Sequence, residues 1–146
     1  WLSVTGAGRR TVVVGAIYRP PGAPSSRGLE LVEQQLRAAV STGKPVVATG
    51  DFNVNMMDAD QPSSRRLQLI MSDLGLRQLV DQPTHLHPRP TLLDLIITNL
   101  TDISATAAVL PTAIADHQPQ GWEKPTRYHI LWAPQNRELR SFPGPR

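Results

Sequence analysis

Two apolar runs that flank one amphipathic pattern, between residues 11 and 50, constrain the fold most. Residues 11–18 are mostly β-branched and apolar, which is typical of a buried strand, and Pro20 and Pro21 end the run. Apolar residues then recur at helical spacing over 29–40, and a second apolar run covers 45–50. A strand, a helix and a strand in this order predict a layered α/β fold.

The rest of the chain to residue 110 continues this alternation. A second amphipathic pattern over 63–74 predicts another helix, with Ser63 and Ser64 as its cap and Gly75 at its end. Three prolines in 81–90 exclude regular structure there. Apolar runs predict three further strands, at 76–80, 91–98 and 103–110.

Composition divides the chain at residue 117. The 146 residues suffice for one modest domain, and the lack of cysteine excludes disulfides and thiolate metal sites. Residues 1–117 carry ten basic and ten acidic side chains, whereas 118–146 carry five basic, two acidic and five prolines. We therefore expect a domain over 1–117 and a Pro- and Arg-rich, poorly ordered tail over 118–146. No apolar run is long enough for a membrane helix, so no membrane partner is expected.

Asp51 and Asn53 are the first candidates for chemistry. They follow a predicted buried strand and lie two residues apart, so an extended backbone directs both side chains to one side. A carboxylate can orient or deprotonate a water while an amide hydrogen-bonds developing negative charge, which suits phosphodiester hydrolysis. The alternative is a plain turn, because Gly, Asp and Asn all favour turns.

A second group comes from the later half of the domain. Asp94 is the one charge in an apolar strand, and Asp116 and His117 form a pair that can bind a metal and contact phosphate. Asp94 is a candidate to hold the His117 imidazole, and without such a partner the pair is a solvated loop. His85 and His87 lack a third zinc ligand, so a solvated loop is the favoured interpretation there.

Five sequence blocks in order closely resemble the endonuclease/exonuclease/phosphatase superfamily, and within it the endonuclease domain of non-LTR retrotransposons. The blocks are 15–21 (GAIYRPP), 50–53 (GDFN), 78–85 (QLVDQPTH), 91–96 (TLLDLI) and 116–117 (DH). The resemblance implies the carboxy-terminal part of a four-layer α/β sandwich. It also implies a phosphodiesterase that depends on Mg²⁺, with Mn²⁺ as an alternative ion, and that nicks DNA.

The resemblance extends to partners and location. It implies that the chain belongs to a longer polyprotein with reverse transcriptase. Such an enzyme is expected inside the cell, and in the nucleus if it acts on chromosomal DNA.

The first two blocks would supply the residues nearest the reacting phosphate. By resemblance, Tyr18 contacts the scissile phosphate and Asp51 orients or activates the attacking water. Asn53 hydrogen-bonds the phosphate.

The later blocks would complete the site. By resemblance, Asp94 orients His117, which contacts the phosphoryl oxygens, and Asp116 lies at the metal. Thr84 and Thr91 match polar positions that bind substrate near the metal.

The sequence also departs from the family pattern. An early Asn and the metal-binding Glu have no counterpart in the 146 residues, and Ala115 stands where Ser is common. We therefore expect cleavage to be impaired or lost in this chain. The alternative is a non-catalytic retroelement remnant that at most binds nucleic acid through its basic tail. A further alternative keeps the superfamily but changes the substrate to abasic-site DNA, an inositol phosphate or sphingomyelin.

Overall fold

The computed structural model describes residues 1–6, 9–22, 25–85, 88–101, 105–112 and 127–134. Within them the chain forms a mixed α/β structure of seven strands and two helices. The elements are β1 (Leu2–Thr5), β2 (Thr11–Tyr18), α1 (Ser25–Val40), β3 (Val46–Asp51), α2 (Pro62–Asp73), β4 (Arg77–Gln78), β5 (Asp94–Thr98), β6 (Ala105–Thr112) and β7 (Arg127–Pro134).

Five strands form one mixed sheet in the order β1-β2-β3-β5-β4. Strands β2 and β3 are parallel because α1 carries the chain back across the sheet, whereas the other three pairs are antiparallel. Strands β6 and β7 form a separate two-stranded antiparallel sheet. The strand–helix–strand prediction is thereby confirmed.

The helices bury their apolar stripes in the main core. Leu29, Val32 and Leu36 of α1 and Leu67 and Ile70 of α2 are all buried, at the spacing expected for one helix face. They join buried residues of the central strands and of the loop after β3: Ile17, Ala48, Phe52, Val54, Leu95 and Ile97.

Alternation along the strands divides the sheet into two faces. Val13 and Val46 pack with Ala39 of α1, so they and the residues in step with them lie on the helix-covered face. The intervening residues lie on the opposite face, which begins at β1 with Leu2 and Val4, 72% and 51% exposed.

Three details differ from the sequence-based expectations. Strand β1 was not predicted, because its four residues are all exposed and give no apolar run. Helix α2 begins at Pro62 after Gln61, with no side-chain cap, and Ser64 is buried rather than capping. The strand expected over 76–80 is only two residues long, because the side-chain Oε1 of Gln78 accepts the backbone amides of Val80 and Ile96 where the strand would continue.

The predicted division at residue 117 stays a prediction. Strand β7 lies in the segment expected to be a poorly ordered tail, and its backbone pairs with β6 along eight residues. Asp116 and His117 lie outside the described residues. Neither described helix is long and apolar enough to cross a membrane.

Candidate functional site

Three of the predicted site residues form one row across the sheet. Tyr18 of β2 is the register partner of Asp51 in β3, and Asp51 is the partner of Asp94 in β5. Directly paired residues project to the same side of a sheet, and the alternation places this side opposite the helices. We call Tyr18, Asp51 and Asp94 the cross-strand row.

Gly50 allows β3 to bring Asp51 to this position. Its φ of 141° belongs to a region that L side chains rarely adopt. A Cβ at residue 50 would also lie 1.9 Å from the carbonyl oxygen of Ile17 on the neighbouring strand. Both the backbone conformation and the close approach of β2 therefore require glycine immediately before the Asp51 carboxylate.

The loop after Asp51 is held by reciprocal hydrogen bonds with Arg19. Asp51 Oδ1 accepts the backbone amide of Asn53 at 2.8 Å, which stabilises a tight turn with Asn53 at a φ of 47°. The Asn53 Nδ2 donates to the carbonyl of Arg19 at 2.7 Å, and the Arg19 guanidinium donates to the carbonyls of Asn53 and Phe52 at 3.1 and 3.3 Å. The Asn53 side chain thus ties the two strand ends together.

Arg19 is a residue that the sequence analysis missed. It is buried, and its side chain lies against Gly28 in the first turns of α1, where a Cβ would come within 2.8 Å of the Arg19 Nε. Arginine is rarely buried, so the sequence pattern did not predict that Arg19 would be. Its position after Tyr18, at the exit of a buried strand, is the only signal that pointed towards the site.

Thr84 fixes the start of β5 and with it Asp94. Its buried hydroxyl oxygen accepts the backbone amides of Leu93 and Asp94 at 3.2 and 3.1 Å. The amide of Thr84 donates to the carbonyl of Thr91 at 2.9 Å. Thr84 and Thr91 therefore lie beside the cross-strand row, with Thr84 beneath its surface.

His85 lies next to Asp94, a contact that the sequence analysis did not predict. Its Nδ1 is 3.5 Å from Asp94 Oδ2 and 3.4 Å from the Thr84 hydroxyl. The analysis expected Asp94 to hold His117, which is outside the described residues. The presence of a histidine directly after Thr84 was visible in the sequence, but the pairing of 85 with 91 that brings it to Asp94 was not.

The electrostatics of the row are unfavourable for folding. Two carboxylates in directly opposite positions of an antiparallel pair repel each other. The row is open to solvent, with Tyr18 69% exposed and the Asp94 side chain 31% exposed. Unfavourable charge pairs of this kind recur at functional sites, where they serve binding rather than stability.

In the part of the chain that the structure describes, no three His, Cys, Asp or Glu side chains come together to hold a metal ion. Mg²⁺ usually takes one or two carboxylates together with waters and substrate phosphates. Asp116, the ligand that the resemblance implies, is outside the described residues.

Comparison with known proteins does not assign the chain to a family. A scan of the sequence against models of protein families gives no match, and a search of curated proteins finds no relative.

Proposed function

We propose that this chain carries the site of an endonuclease-type phosphodiesterase that nicks DNA. The observation that supports the proposal best is the cross-strand row, in which Tyr18, Asp51 and Asp94 lie side by side at the ends of three neighbouring strands. These residues come from three separate sequence blocks, at positions 18, 51 and 94. The sheet pairing brings together three of the residues that the family resemblance assigns to one reaction.

Asp51 is suited to act on the attacking water. Its Oδ1 accepts the Asn53 amide, so Oδ2 is the oxygen that can accept a hydrogen bond from a water. A proton passes from that water to the carboxylate as the water oxygen bonds to phosphorus, the phosphorus–oxygen bond to the leaving sugar breaks, and the sugar oxygen takes a proton from solvent. General-base action of this type contributes about 10²- to 10⁴-fold to rate.

Tyr18 and Asn53 are suited to hold the phosphate. The exposed Tyr18 side chain carries a hydroxyl that can donate to a phosphate oxygen. The side-chain nitrogen of Asn53, Nδ2, donates one of its hydrogens to the carbonyl of Arg19. Its second hydrogen can be donated to a phosphate oxygen. In this proposal Thr84 and Arg19 are positioning residues, because their contacts are with the backbone that carries the row.

The finer features of the proposal come from the resemblance. They are the four-layer sandwich, of which the five-stranded sheet with α1 and α2 would be one half, a Mg²⁺ requirement with Asp116 as ligand, and linkage to reverse transcriptase. When bound, Mg²⁺ would neutralise charge on the phosphoryl oxygens. The open row suits a large polymer such as DNA better than a small enclosed substrate.

The test is single-turnover nicking of supercoiled plasmid with excess protein and Mg²⁺. We expect Mg²⁺-dependent nicking by the wild type and a loss of at least about 10²-fold in Asp51→Ala. Asp73→Ala is the matched control, since Asp73 is an exposed carboxylate at the end of α2. It should nick as fast as the wild type.

Two results would overturn the proposal. One is the absence of Mg²⁺-dependent nicking by the wild type, and the other is equal nicking by Asp51→Ala. DNA binding that persists without nicking and disappears with residues 118–146 would favour the non-catalytic remnant instead.

A further inference from the structure

His85 is fixed in place by its backbone. Its amide donates to the Thr91 carbonyl at 3.0 Å, and the Thr91 amide donates to the His85 carbonyl at 2.8 Å. This isolated pair of bonds closes the proline-containing loop between the two residues. The position of the His85 side chain beside β5 is therefore set by main-chain hydrogen bonds on both sides.

The ring of His85 is oriented by its Nδ1. That nitrogen faces Asp94 Oδ2 at 3.5 Å, with the Thr84 hydroxyl at 3.4 Å. A carboxylate beside one ring nitrogen favours a proton on that nitrogen and sets the direction of the other. Nε2 lies on the far side of the ring, and the side chain is 48% exposed.

Because the cross-strand row is negatively charged, binding of a phosphate beside it needs a hydrogen-bond donor such as a histidine. Asp51 and Asp94 both repel an anionic phosphodiester, and a histidine that carries protons on both ring nitrogens can donate from Nδ1 to a carboxylate and from Nε2 to a phosphate oxygen. We propose that His85 binds the phosphodiester of the substrate through Nε2. This inference rests on the proposed function and adds a phosphate-binding residue that was expected only in a solvated loop.

Three substitutions separate phosphate contact from a purely structural role. The amide nitrogen of Gln in His85→Gln overlays Nε2, whereas that of Asn in His85→Asn overlays Nδ1, and His85→Ala keeps neither. Hydrogen bonds to charged groups contribute enough to change affinity by about tenfold or more. We expect His85→Gln to bind a short fluorescein-labelled DNA duplex like the wild type, and Asn and Ala to bind at least about tenfold more weakly.

The opposite pattern would overturn the inference. If His85→Asn binds like the wild type while Gln and Ala lose affinity, the ring serves only to contact Asp94. Equal binding by all four proteins would also overturn it. Circular dichroism of each variant checks that the fold is retained.

A second readout keeps this inference separate from the proposed function. The imidazole ¹⁵N resonances of the whole chain are followed as dimethyl phosphate is added, with His85→Gln used to assign His85. A shift of the His85 Nε2 resonance supports the contact even if no plasmid is nicked, in which case the proposed function alone fails. If the His85 Nε2 resonance does not move, the contact with phosphate is overturned, whether the plasmid is nicked or not. The same measurement shows whether His85 contacts phosphate if all three variants bind DNA weakly.

Discussion

The two faces of the five-stranded sheet differ at the edge where β3 ends and β5 begins. On the helix-covered face β3 and β5 present Val46, Ala48, Leu95 and Ile97, all buried. On the opposite face the same two strands also bury Val47 and Ile96, but at the edge of the sheet they present Asp51 and Asp94, paired directly across it. Neighbouring residues of a strand point to opposite faces of the sheet, so each carboxylate of the candidate site lies next in sequence to a residue of the helix-covered face.

This separation means that adjacent substitutions should have opposite effects. Changes on the helix-covered face should cost stability through lost packing. Changes in the cross-strand row should cost activity and leave stability unchanged or improved, since functional sites often hold unfavourable charge arrangements.

Gly50→Ala should have the largest effect. The added Cβ would meet the Ile17 carbonyl oxygen and force a positive φ on alanine, so we expect a loss above about 4 kcal/mol, or no folding. Urea unfolding followed by circular dichroism measures it. Gly43→Ala is the matched control, because Gly43 has a φ of 69° with no atom within 4 Å of a Cβ, and should cost only about 1 kcal/mol. Equal losses would show that the close approach of β2 does not matter.

Leu95→Ala should lower the free energy of unfolding by about 2–5 kcal/mol. Leu95 is fully buried in the main core between β3 and β4, so its removal leaves a cavity. Leu69→Ala, on the exposed side of α2, should change stability by less than about 0.5 kcal/mol in the same urea titration. A Leu95 variant as stable as the Leu69 variant would contradict the assignment of the helix-covered face as the stabilising one.

Asp51→Asn should raise stability by about 0.2–1 kcal/mol while abolishing nicking. Asparagine keeps the Oδ1 acceptor for the Asn53 amide but removes the charge opposite Asp94. The gain should shrink at high salt, because salt screens the repulsion in the wild type. Asp73→Asn serves as the control and should give no comparable gain. A destabilised Asp51→Asn protein would show that the two carboxylates do not oppose folding.

Tyr18→Phe should have the smallest effect on stability, within about 0.5 kcal/mol, because the side chain is mostly exposed. Only the hydroxyl is lost, so nicking should fall about tenfold if that hydroxyl donates to the phosphate. Thermal unfolding and the plasmid assay measure the two quantities on the same protein. Unchanged nicking would remove Tyr18 from the site and leave the two carboxylates as its centre.

Residue patterns predicted the elements of the central sheet but not their pairing. The apolar run at 11–18 matches β2, and the helical spacing over 29–40 matches α1. Burial leaves a run or a spacing of apolar residues that is visible in the sequence. Strand β1 carries no such period, since its four residues are exposed. The register that aligns positions 18, 51 and 94 depends on contacts between distant segments, and no local pattern encodes it.

The same reason explains the missed site residues. Arg19 is buried by hydrogen bonds to carbonyls that only the folded loop presents. His85 reaches Asp94 through its pairing with Thr91, which spans Pro88 and Pro90. Both residues depend on tertiary structure, whereas Asp51 and Asn53 were recognisable from their place after a strand.

The register of β1 has a practical consequence for handling the protein. Leu2 pairs with Val14 in an antiparallel ladder, so each residue added before Trp1 that continued the strand would pair one position further along β2. The third such residue would lie opposite Tyr18. An affinity tag fused to the amino end could therefore extend the sheet and cover the exposed tyrosine, so activity assays call for a tag at the carboxyl end or one that is removed first.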